Sequence, residues 1–428
     1  MMKEIRLFFQ YLLHHNFILW VIICYAMVYN PKTMAQCTKS LDATIHTPQI
    51  EIEGVWNTLP IIPLNGPSKI TLSFDDFNEE AARYFYKIEH CDAHFQPTTH
   101  LFESNYLQAT SNELLLETYE PSRNTLTPYY HYRLTLPNQD MKMLLSGNYK
   151  ITIEREDEEG MKPVLETYFM VLERLCGVNL SVTTNTDIDY NQSHQQLTLE
   201  VDHSQLKLHN APEQIECIVV KNRDWNNARW LMKPSMVMNG KIKWQHAKEL
   251  IFNAGNEFRK FENLSTTIAS LHTDRIEWDA TSNSYNVVLY TDEPRSNYLY
   301  DEDQNGAFKI RNTDNHDDAT ESDYANVCFS LAMPQHEDAC IYVNGNWATN
   351  SNGETYRMHY NESTECYEAN LLLKQGYYNY YYNSKNLDIE GDFYETENEY
   401  LVLVYATLPG ERYTRLVGMG KIHSGNRK

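Results

Sequence analysis

The sequence predicts a mainly β protein, built of consecutive antiparallel, immunoglobulin-like β-sandwich domains that follow a cleaved signal peptide. Short stretches alternate apolar and polar residues, and this period of two places alternate side chains on opposite faces of a strand. Turn residues separate these stretches at intervals of roughly 8 to 12 residues, which is typical of sandwiches. The sequence has no long amphipathic helical pattern and no repeat of fixed period.

Length and composition indicate a folded chain of several domains. The 428 residues suffice for two to four domains at roughly 100 to 200 residues each. Aromatic residues make up 12% of the chain and include 31 tyrosines, which excludes a disordered protein. The net charge of -22 would repel phosphate backbones and anionic headgroups. It therefore argues against nucleic-acid and peripheral membrane binding, and otherwise favours solubility.

Residues 1–35 have the pattern of a secretory signal peptide. Two basic residues near the start precede the apolar run Phe17–Val28, and small residues before Gln36 provide a cleavage site. The apolar run is shorter than the ~20 residues that a helix needs to span a bilayer. Cys37 follows the cleavage site, but Gln36 does not fit lipoprotein processing. We therefore predict an exported, soluble protein without a lipid anchor.

Seven cysteines lie outside the predicted signal peptide. They are Cys37, Cys91, Cys176, Cys217, Cys328, Cys340 and Cys366. Their number is odd, no two form a C-x-x-C pair, and their spacing fits no zinc module. An exported protein can form disulfides, yet the sequence assigns no pairing.

The first predicted sandwich covers residues 36–175 and is organised around Ile70–Phe95. In this stretch one apolar face repeats before a polar turn and a second, tyrosine-rich face repeats after it. The two faces consist of Ile70, Leu72 and Phe74, then Tyr84, Tyr86 and Ile88. Two such runs joined by a short polar loop predict a β-hairpin. Further strands are expected at Tyr130–Leu136, Tyr149–Arg155 and Val164–Glu173.

The second predicted sandwich covers residues 176–325. Strands are expected at Gln195–Val201 and Ile215–Lys221, followed by a polar loop at Asn222–Ala228 that holds one tryptophan. Tyr298–Ile310 is expected to form a hairpin, because its central Asn-Gly pair suits a turn that needs two positive φ angles. The acidic stretch Asn312–Asp323 is expected to be a linker.

The third predicted sandwich covers residues 326–428. Its six expected strands are Val327–Leu331, Ala339–Val343, Glu354–Tyr360, Tyr367–Leu373, Tyr377–Tyr382 and Tyr400–Thr407. Tyr377–Tyr382 is aromatic on both faces, so one face must meet a neighbouring domain or a partner.

Several motifs of the chain resemble those of the plug protein family of the type IX secretion system. The first is an L-S-F-D-D-like strand followed by a Y-x-Y-x-I-x-H-C strand end, here Leu72–Phe77 and Tyr84–Cys91. Others are Asn124, Thr125, His131 and Tyr132; the S-G-N-Y turn Ser146–Tyr149; Asn253–Phe261; L-K-Q-G-Y-Y at Leu373–Tyr378; and Glu390, Gly391, Phe393, Glu397 and Asn398. Where the family pattern leads us to expect a tryptophan, this chain has Phe95.

The resemblance implies a periplasmic plug associated with the outer-membrane translocon barrel. Proteins of this family occupy the periplasmic opening of that barrel and occlude it when no cargo is engaged. The implied partner is the barrel itself, and the resemblance carries no residue roles for docking.

We find no catalytic motif, so no enzymatic activity and no cofactor are predicted. The G-x-S-x-G, H-E-x-x-H, P-loop and G-x-G-x-x-G patterns are all missing from the sequence. His90, Asp92 and His94 would share one strand face and could bind a metal, although a hydrogen-bonded cluster at the strand end is the default.

Asp301, Asp303, Asn305 and Gly306 imitate the start of a calcium loop. Asn312 stands where such a loop needs a bidentate Glu, so a hairpin turn explains the pattern better.

Four aromatic residues of the third domain are the candidate partner-binding residues. They are Trp347, Tyr378, Tyr380 and Tyr382. Tyrosine is enriched at protein interfaces because it has an apolar body and a polar tip. Packing between domains is the alternative explanation for these residues.

Two other functions remain open from the sequence. Ile341–Trp347 and Gly376–Tyr380 resemble, more weakly, strands of starch- and glycogen-binding sandwiches, which would make this a periplasmic or surface glycan-binding protein. A cargo of the type IX system would need a Gly-rich sorting signature, which Leu416–Lys428 lacks.

Overall fold

A computed structural model describes residues 38–158, 160–348 and 354–425. The predicted signal peptide and Cys37 lie outside these residues. The described residues form one compact unit. In the described part, no helix is long and apolar enough to cross a membrane.

The first sandwich contains twelve strands and one short helix, α1 (Glu103–Tyr106). The strands are β1 (Lys39–Ser40), β2 (Ile45–Ile52), β3 (Ile61–Pro63), β4 (Ile70–Asp76), β5 (Tyr84–Cys91), β6 (Leu107–Ala109), β7 (Leu114–Leu115), β8 (Tyr119–Pro121), β9 (Tyr130–Leu136), β10 (Met141–Met143), β11 (Gly147–Asp157) and β12 (Gly160–Leu172). One large sheet has the order β2-β4-β9-β8, and the other β1-β12-β11-β5-β7 with β3 parallel to β12. β6 and β10 form a separate two-stranded sheet. Their inward faces form one apolar core.

The expected hairpin in Ile70–Phe95 is wrong, although both of its strands exist. β4 pairs with β2 and β9, whereas β5 pairs with β11 and β7 in the opposite sheet. Phe74 and Tyr84 meet edge to face across the core, with ring centroids 5.4 Å apart. The alternation identifies each strand and its buried face, but it is the same whether two strands pair or face each other.

The second sandwich begins with seven strands and the short helix α2 (Ala211–Gln214). The strands are β13 (Gly177–Thr183), β14 (His194–Asp202), β15 (Ile215–Lys221), β16 (Asp224–Trp230), β17 (Met236–Met238), β18 (Lys241–Trp244) and β19 (Ile251–Asn253). A 3-10 turn covers Lys248–Leu250. One sheet has the order β13-β14-β18-β17, with β19 also paired to β14.

The predicted polar loop at Asn222–Ala228 is instead a tight hairpin between β15 and β16. Asn222 and Arg223 have φ angles of 49° and 59°. Two positive φ angles at the centre of a two-residue turn are the geometry that tight hairpins favour. Trp225 consequently lies on β16 and is buried.

In its described residues, the third sandwich contains nine strands and a 3-10 turn at Glu354–Tyr356. The strands are β20 (Arg259–Glu262), β21 (Thr273–Asp279), β22 (Ser284–Leu289), β23 (Phe308–Ile310), β24 (Tyr324–Ala332), β25 (Ile341–Asn344), β26 (His359–Asn361), β27 (Cys366–Lys374) and β28 (Gly376–Ser384). One sheet has the order β21-β22-β24-β27-β26, and the other β20-β28-β23 with β25 also paired to β28. Its apolar core is separate from the cores of the first and second sandwiches.

The predicted hairpin at Tyr298–Ile310 is largely wrong. Only Phe308–Ile310 is a strand, and it pairs with β28. The Asn-Gly turn does form, with φ angles of 52° at Asn305 and 84° at Gly306. The residue types of the turn therefore determine its conformation, whereas the strand that follows pairs with a strand far away in the sequence.

The chain returns to the second sandwich for its last two strands, β29 (Glu399–Ala406) and β30 (Arg415–His423). They complete a sheet with the order β16-β15-β29-β30. The predicted boundaries 176–325 and 326–428 are therefore corrected, because the third sandwich starts near Arg259 and interrupts the second. No local pattern announces this return, because β29 looks like any buried strand.

Candidate functional site and the interfaces between the sandwiches

The four candidate partner-binding residues lie in the core of the third sandwich. Trp347, Tyr378, Tyr380 and Tyr382 are between 0% and 6% exposed. The Trp347 indole N–H donates to the Asn379 carbonyl at 2.8 Å. The expectation of an exposed aromatic face is therefore corrected, because neither a protein nor a sugar ring can reach these side chains in this fold.

The hydroxyl groups of two of these tyrosines bind a buried carboxylate. Tyr380 and Tyr382 donate to Asp292 at 2.7 and 2.8 Å, and Arg259 forms an ion pair with Asp292 at 2.7 Å. Arg259 also pairs with Glu390 at 3.0 Å. Burial would raise the pKa of Asp292, but His272, Arg259 and Tyr380 lower it to about 2. The two tyrosine hydroxyls therefore stabilise a buried carboxylate inside the fold and are not available to a partner.

A second buried cluster joins the first sandwich to the third. Lys374, at the end of β27, forms an ion pair with Asp75 of β4 at 2.6 Å, and both residues are at most 2% exposed. Asp75 also accepts hydrogen bonds from Tyr324 at 2.7 Å and from His131 at 2.7 Å. Lys374 donates a further bond to the Ala319 carbonyl at 2.7 Å. We call these residues the Asp75 cluster.

The charges of the Asp75 cluster are matched inside the protein. Burial raises the pKa of Asp75, but the Lys374 ammonium and His131 outweigh that effect and hold the pKa below its usual range. Burial also lowers the pKa of Lys374, which the Asp75 carboxylate opposes. We regard the pair as ionised, because each group has charged or strongly polar partners at hydrogen-bonding distance.

The acidic stretch Asn312–Asp323 is not a linker but a folded loop that contacts the first sandwich. The Tyr129 hydroxyl donates to the Ser322 carbonyl at 2.8 Å. The Asp323 carboxylate accepts the backbone N–H groups of Leu126 and Thr127 at 2.7 and 3.2 Å. Its acidic residues thus serve as acceptors for a neighbouring domain, a use that composition does not reveal.

The contact between the first and second sandwiches combines aromatic rings, neutral hydrogen bonds and a partly exposed ion pair between Arg415 and Glu173 at 2.6 Å. Phe95 meets Trp225 with ring centroids 5.6 Å apart. The Tyr405 hydroxyl donates to the Asn148 side-chain oxygen at 3.0 Å, and both residues are fully buried. Phe95, at the position where the resemblance leads us to expect a tryptophan, is therefore part of a domain interface.

Two polar residues sit where the chain passes between the second and third sandwiches. The Asn398 amide donates to Gln195 and to the Ala254 carbonyl, at 3.0 and 2.8 Å. Glu257 accepts bonds from Tyr298 and from the Glu397 N–H, at 2.9 and 3.0 Å. Burial, together with the neighbouring Asp303 and Glu397 carboxylates, raises the pKa of Glu257 to about 7.

The candidate metal and calcium residues take part in separate hydrogen bonds. His90 Nδ1 lies 3.0 Å from Thr98, whereas the imidazole of His94 lies 2.9 Å from Glu216. The buried Asp303 carboxylate accepts the N–H groups of Phe258 and Asn305. Among the described residues, no group of three or more His, Cys, Asp or Glu side chains is arranged to hold a metal ion.

The six cysteines in the described part of the chain are free thiols. Burial raises the pKa of Cys91 to about 12.

A cavity of about 220 Å³ lies where the three sandwiches meet, and it is lined by residues that include Trp56, Trp225, Phe308 and Asn344.

Sequence reasoning missed the Asp75 cluster, although its members stand in the motifs that carry the resemblance. Asp75 belongs to the L-S-F-D-D-like strand, His131 to the Y-x-H-Y segment and Lys374 to L-K-Q-G-Y-Y. Likewise Arg259 and Glu390 come from two further motifs and form an ion pair. An aspartate and a lysine inside apolar strands are the signal that could have suggested a buried pair.

Comparisons with known proteins identify relatives of the chain. Residues 45–173 match the family described as "Type 9 secretion system plug protein 1st domain". A hypothetical protein from Parabacteroides merdae, known from its crystal structure, is 34% identical with a TM-score of 0.85, and the match covers 91% of this chain and 99% of that one.

Weaker matches add no argument. The C-terminal domain of the Streptococcus pyogenes antigen I/II-family protein AspA is 9% identical with a TM-score of 0.17, and the match covers 89% of this chain and 99% of that domain. No curated protein matches the chain.

The family match covers nearly all of the first sandwich, which contains the first of the motifs that carry the resemblance and supplies Asp75 and His131 to the Asp75 cluster. The chain belongs to the type IX secretion system plug protein family.

Proposed function

We propose that this protein is a periplasmic plug of the type IX secretion system. It docks on the periplasmic opening of the outer-membrane translocon barrel and occludes it when no cargo is engaged. The observation that carries the proposal is the family match over residues 45–173. Family membership indicates a role in type IX secretion, and docking and occlusion are the specific functions we propose.

The way the sandwiches are joined supports a steric function. A plug must keep its shape against the edge of a pore, so its domains must not swing freely. The Asp75–Lys374 ion pair and the Phe95–Trp225 contact fix the first sandwich to both of its neighbours. Because the third sandwich is inserted into the second, two covalent connections join these domains. Two connections restrict rotation more than the single connection between consecutive domains.

The aromatic core residues have a different role in this proposal from the one that the sequence suggested. Tyr378, Tyr380 and Tyr382 hold the third sandwich together, so alanine at all three should unfold that sandwich. Docking then depends on other, exposed residues. Trp347 is likewise unavailable as a sugar platform, so no observation favours glycan binding.

Capture of the partner tests the proposal. A tagged copy is purified from detergent-solubilised outer membranes, and the co-purifying proteins are identified by mass spectrometry. We expect a very large outer-membrane β-barrel in the bound fraction. If the protein is recovered alone, both with and without a block of cargo export, the proposal is wrong.

A further inference from the structure

One segment of the second sandwich differs in charge from the rest of the chain. The protein has 58 acidic and 36 basic residues. Between Trp225 and Lys248, however, there is no Asp or Glu, and five basic residues occur: Arg229, Lys233, Lys241, Lys243 and Lys248. A surface built by this segment can attract acidic groups that the remainder of the protein repels.

The middle of this segment forms a hairpin at the edge of a sheet. We define the basic hairpin as residues 231–244, which include β17 and β18. β17 is the outermost strand of its sheet. Its residues Met236, Val237 and Met238 are 48%, 60% and 40% exposed, and Met232 before it is 69% exposed. Because neighbouring residues of a strand point to opposite faces, β17 presents apolar side chains on both sides.

The basic hairpin is held in place by the sandwich core. Ile242 and Trp244 of β18 are at most 2% exposed. The Trp244 indole N–H donates to the Met232 carbonyl at 2.7 Å, and the Ser235 hydroxyl donates to the Lys243 carbonyl at 3.0 Å. The exposed strand is therefore pre-organised, and ordering it on binding requires little conformational entropy.

The charges of the basic hairpin are only partly compensated within the protein. Lys241 pairs with Glu200 of β14 at 2.9 Å. Lys233 is exposed, Lys243 lies opposite Met236 in the pairing of β17 with β18, and neither lysine forms an ion pair with any described residue. Two cations therefore remain available beside the exposed methionines.

Another edge strand of the same protein shows how an edge without a partner is protected. β21 is the outermost strand of its sheet and carries Asp274, Arg275 and Glu277. Arg275 pairs with Asp274 at 2.8 Å and with Glu277 at 2.6 Å. Charged side chains keep such an edge from pairing with other chains. β17 consists of Met-Val-Met and has no such protection.

We propose that the basic hairpin is the surface that docks on the translocon barrel, an inference that rests on the proposed function. Its partner is a patch of the barrel's periplasmic face that presents carboxylates around an apolar centre, which complements lysines placed around methionine and valine. A lipid surface fits less well, because the unpaired backbone groups of the edge strand β17 can bond to a protein but find no such partners among lipid tails.

Capture of the barrel from detergent-solubilised outer membranes tests this inference with three full-length proteins. The first is the wild type. The second carries Met232→Ser, Met236→Ser, Val237→Thr and Met238→Ser. The third is a matched control with Phe102→Ser, Ile268→Ser and Leu299→Ser, which alters side chains that are 81%, 68% and 70% exposed elsewhere. Equal urea midpoints establish that all three are folded.

We expect the wild type and the control to capture the barrel equally, and the hairpin variant to capture it about tenfold less well. The double variant Lys233→Gln/Lys243→Gln should mainly slow association and flatten its dependence on salt. Full capture by the hairpin variant would overturn the inference and leave the proposed function intact. No capture by the wild type would refute the proposed function, and the inference with it.

A vesicle sedimentation experiment tests whether the basic hairpin binds a lipid surface instead. Vesicles of phosphatidylethanolamine and phosphatidylglycerol are incubated with the wild type and the hairpin variant and sedimented. We expect neither protein to sediment with them. Sedimentation of the wild type alone would overturn the inference in favour of a lipid surface.

Discussion

The interfaces of the first sandwich with its two neighbours differ in how deeply their charges are buried. Towards the third sandwich the contact is centred on charge, with Asp75 and Lys374 at most 2% exposed. Towards the second sandwich the buried part consists of the Phe95 and Trp225 rings and the neutral bond from Tyr405 to Asn148. The Arg415–Glu173 ion pair at that interface is partly exposed.

The difference lies in what each interface tolerates. The stabilisation that an aromatic contact provides is roughly proportional to its buried apolar area, so it decreases gradually as that area shrinks. A buried ion pair depends on both partners, because the charge left behind when one is removed has no access to water. The charged interface therefore specifies one arrangement of the domains, and it should fail more abruptly than the aromatic one.

Loss of the buried cation should have the largest effect. Lys374→Met keeps much of the side-chain volume but leaves the Asp75 carboxylate without its ammonium partner. We expect the free energy of unfolding to fall by about 3–5 kcal/mol in urea titrations. The double variant Asp75→Asn/Lys374→Met should recover part of this loss. A double variant as unstable as the sum of the two single variants would show that the pair is not coupled.

Glu257 extends the comparison to a buried carboxyl that faces like charges. Its pKa is raised from 4.5 to about 7 in the folded protein. The native state therefore keeps a proton that the unfolded state loses between these pH values, so stability should fall as the pH rises through this window. The free energy of unfolding of the wild type should fall by about 3 kcal/mol between pH 4.5 and 8, and Glu257→Gln should abolish this fall.

The measurement is a set of urea titrations at several pH values for the wild type and Glu257→Gln. Asp75 should act in the opposite direction, because its pKa is lowered from 3.8. Its contribution is present above that value and disappears as the pH falls through its folded pKa. Parallel pH profiles for the wild type and Glu257→Gln above pH 4.5 would contradict the assignment of Glu257.

A matched pair of tyrosine hydroxyls compares the two interfaces directly. Tyr324→Phe removes a bond to the charged Asp75, and Tyr405→Phe removes a bond to the neutral Asn148. We expect the first to lower the free energy of unfolding by about 1.5–3 kcal/mol and the second by about 1 kcal/mol. Thermal or urea unfolding measures both, and equal losses would remove the distinction between the interfaces.

The smallest effect is expected from the exposed His94–Glu216 pair at the interface with the second sandwich. His94 and Glu216 lie 2.9 Å apart, but their side chains are 39% and 43% exposed. Water and salt screen such a pair, so Glu216→Gln should change the free energy of unfolding by less than about 1 kcal/mol. A loss as large as that of Lys374→Met would show that exposure is a poor guide to these contacts.

The sequence was sufficient for features that depend on neighbouring residues. Alternation located β4 and β5 and their buried faces, and the Asn305-Gly306 turn has the positive φ angles that its composition requires. The type IX plug resemblance, drawn from short motifs, is confirmed by the family match over residues 45–173.

Features that depend on distant residues could not be predicted in this way. Asp75 and Lys374 are 299 positions apart, and nothing local states that they meet. The tyrosines of β28 looked like an interface because both faces of the strand are aromatic. In the fold, one face forms the core of the third sandwich, and Tyr381 on the other packs against Phe258 with ring centroids 5.4 Å apart.

Occlusion of the barrel is the central claim, and the conductance of the purified barrel tests it most directly. The barrel is inserted into a planar lipid bilayer, its conductance is recorded, and this protein is added to the periplasmic side. We expect the large conductance to close on binding and to reopen when the protein is washed out. A barrel that binds the protein and keeps its full conductance would contradict the claim.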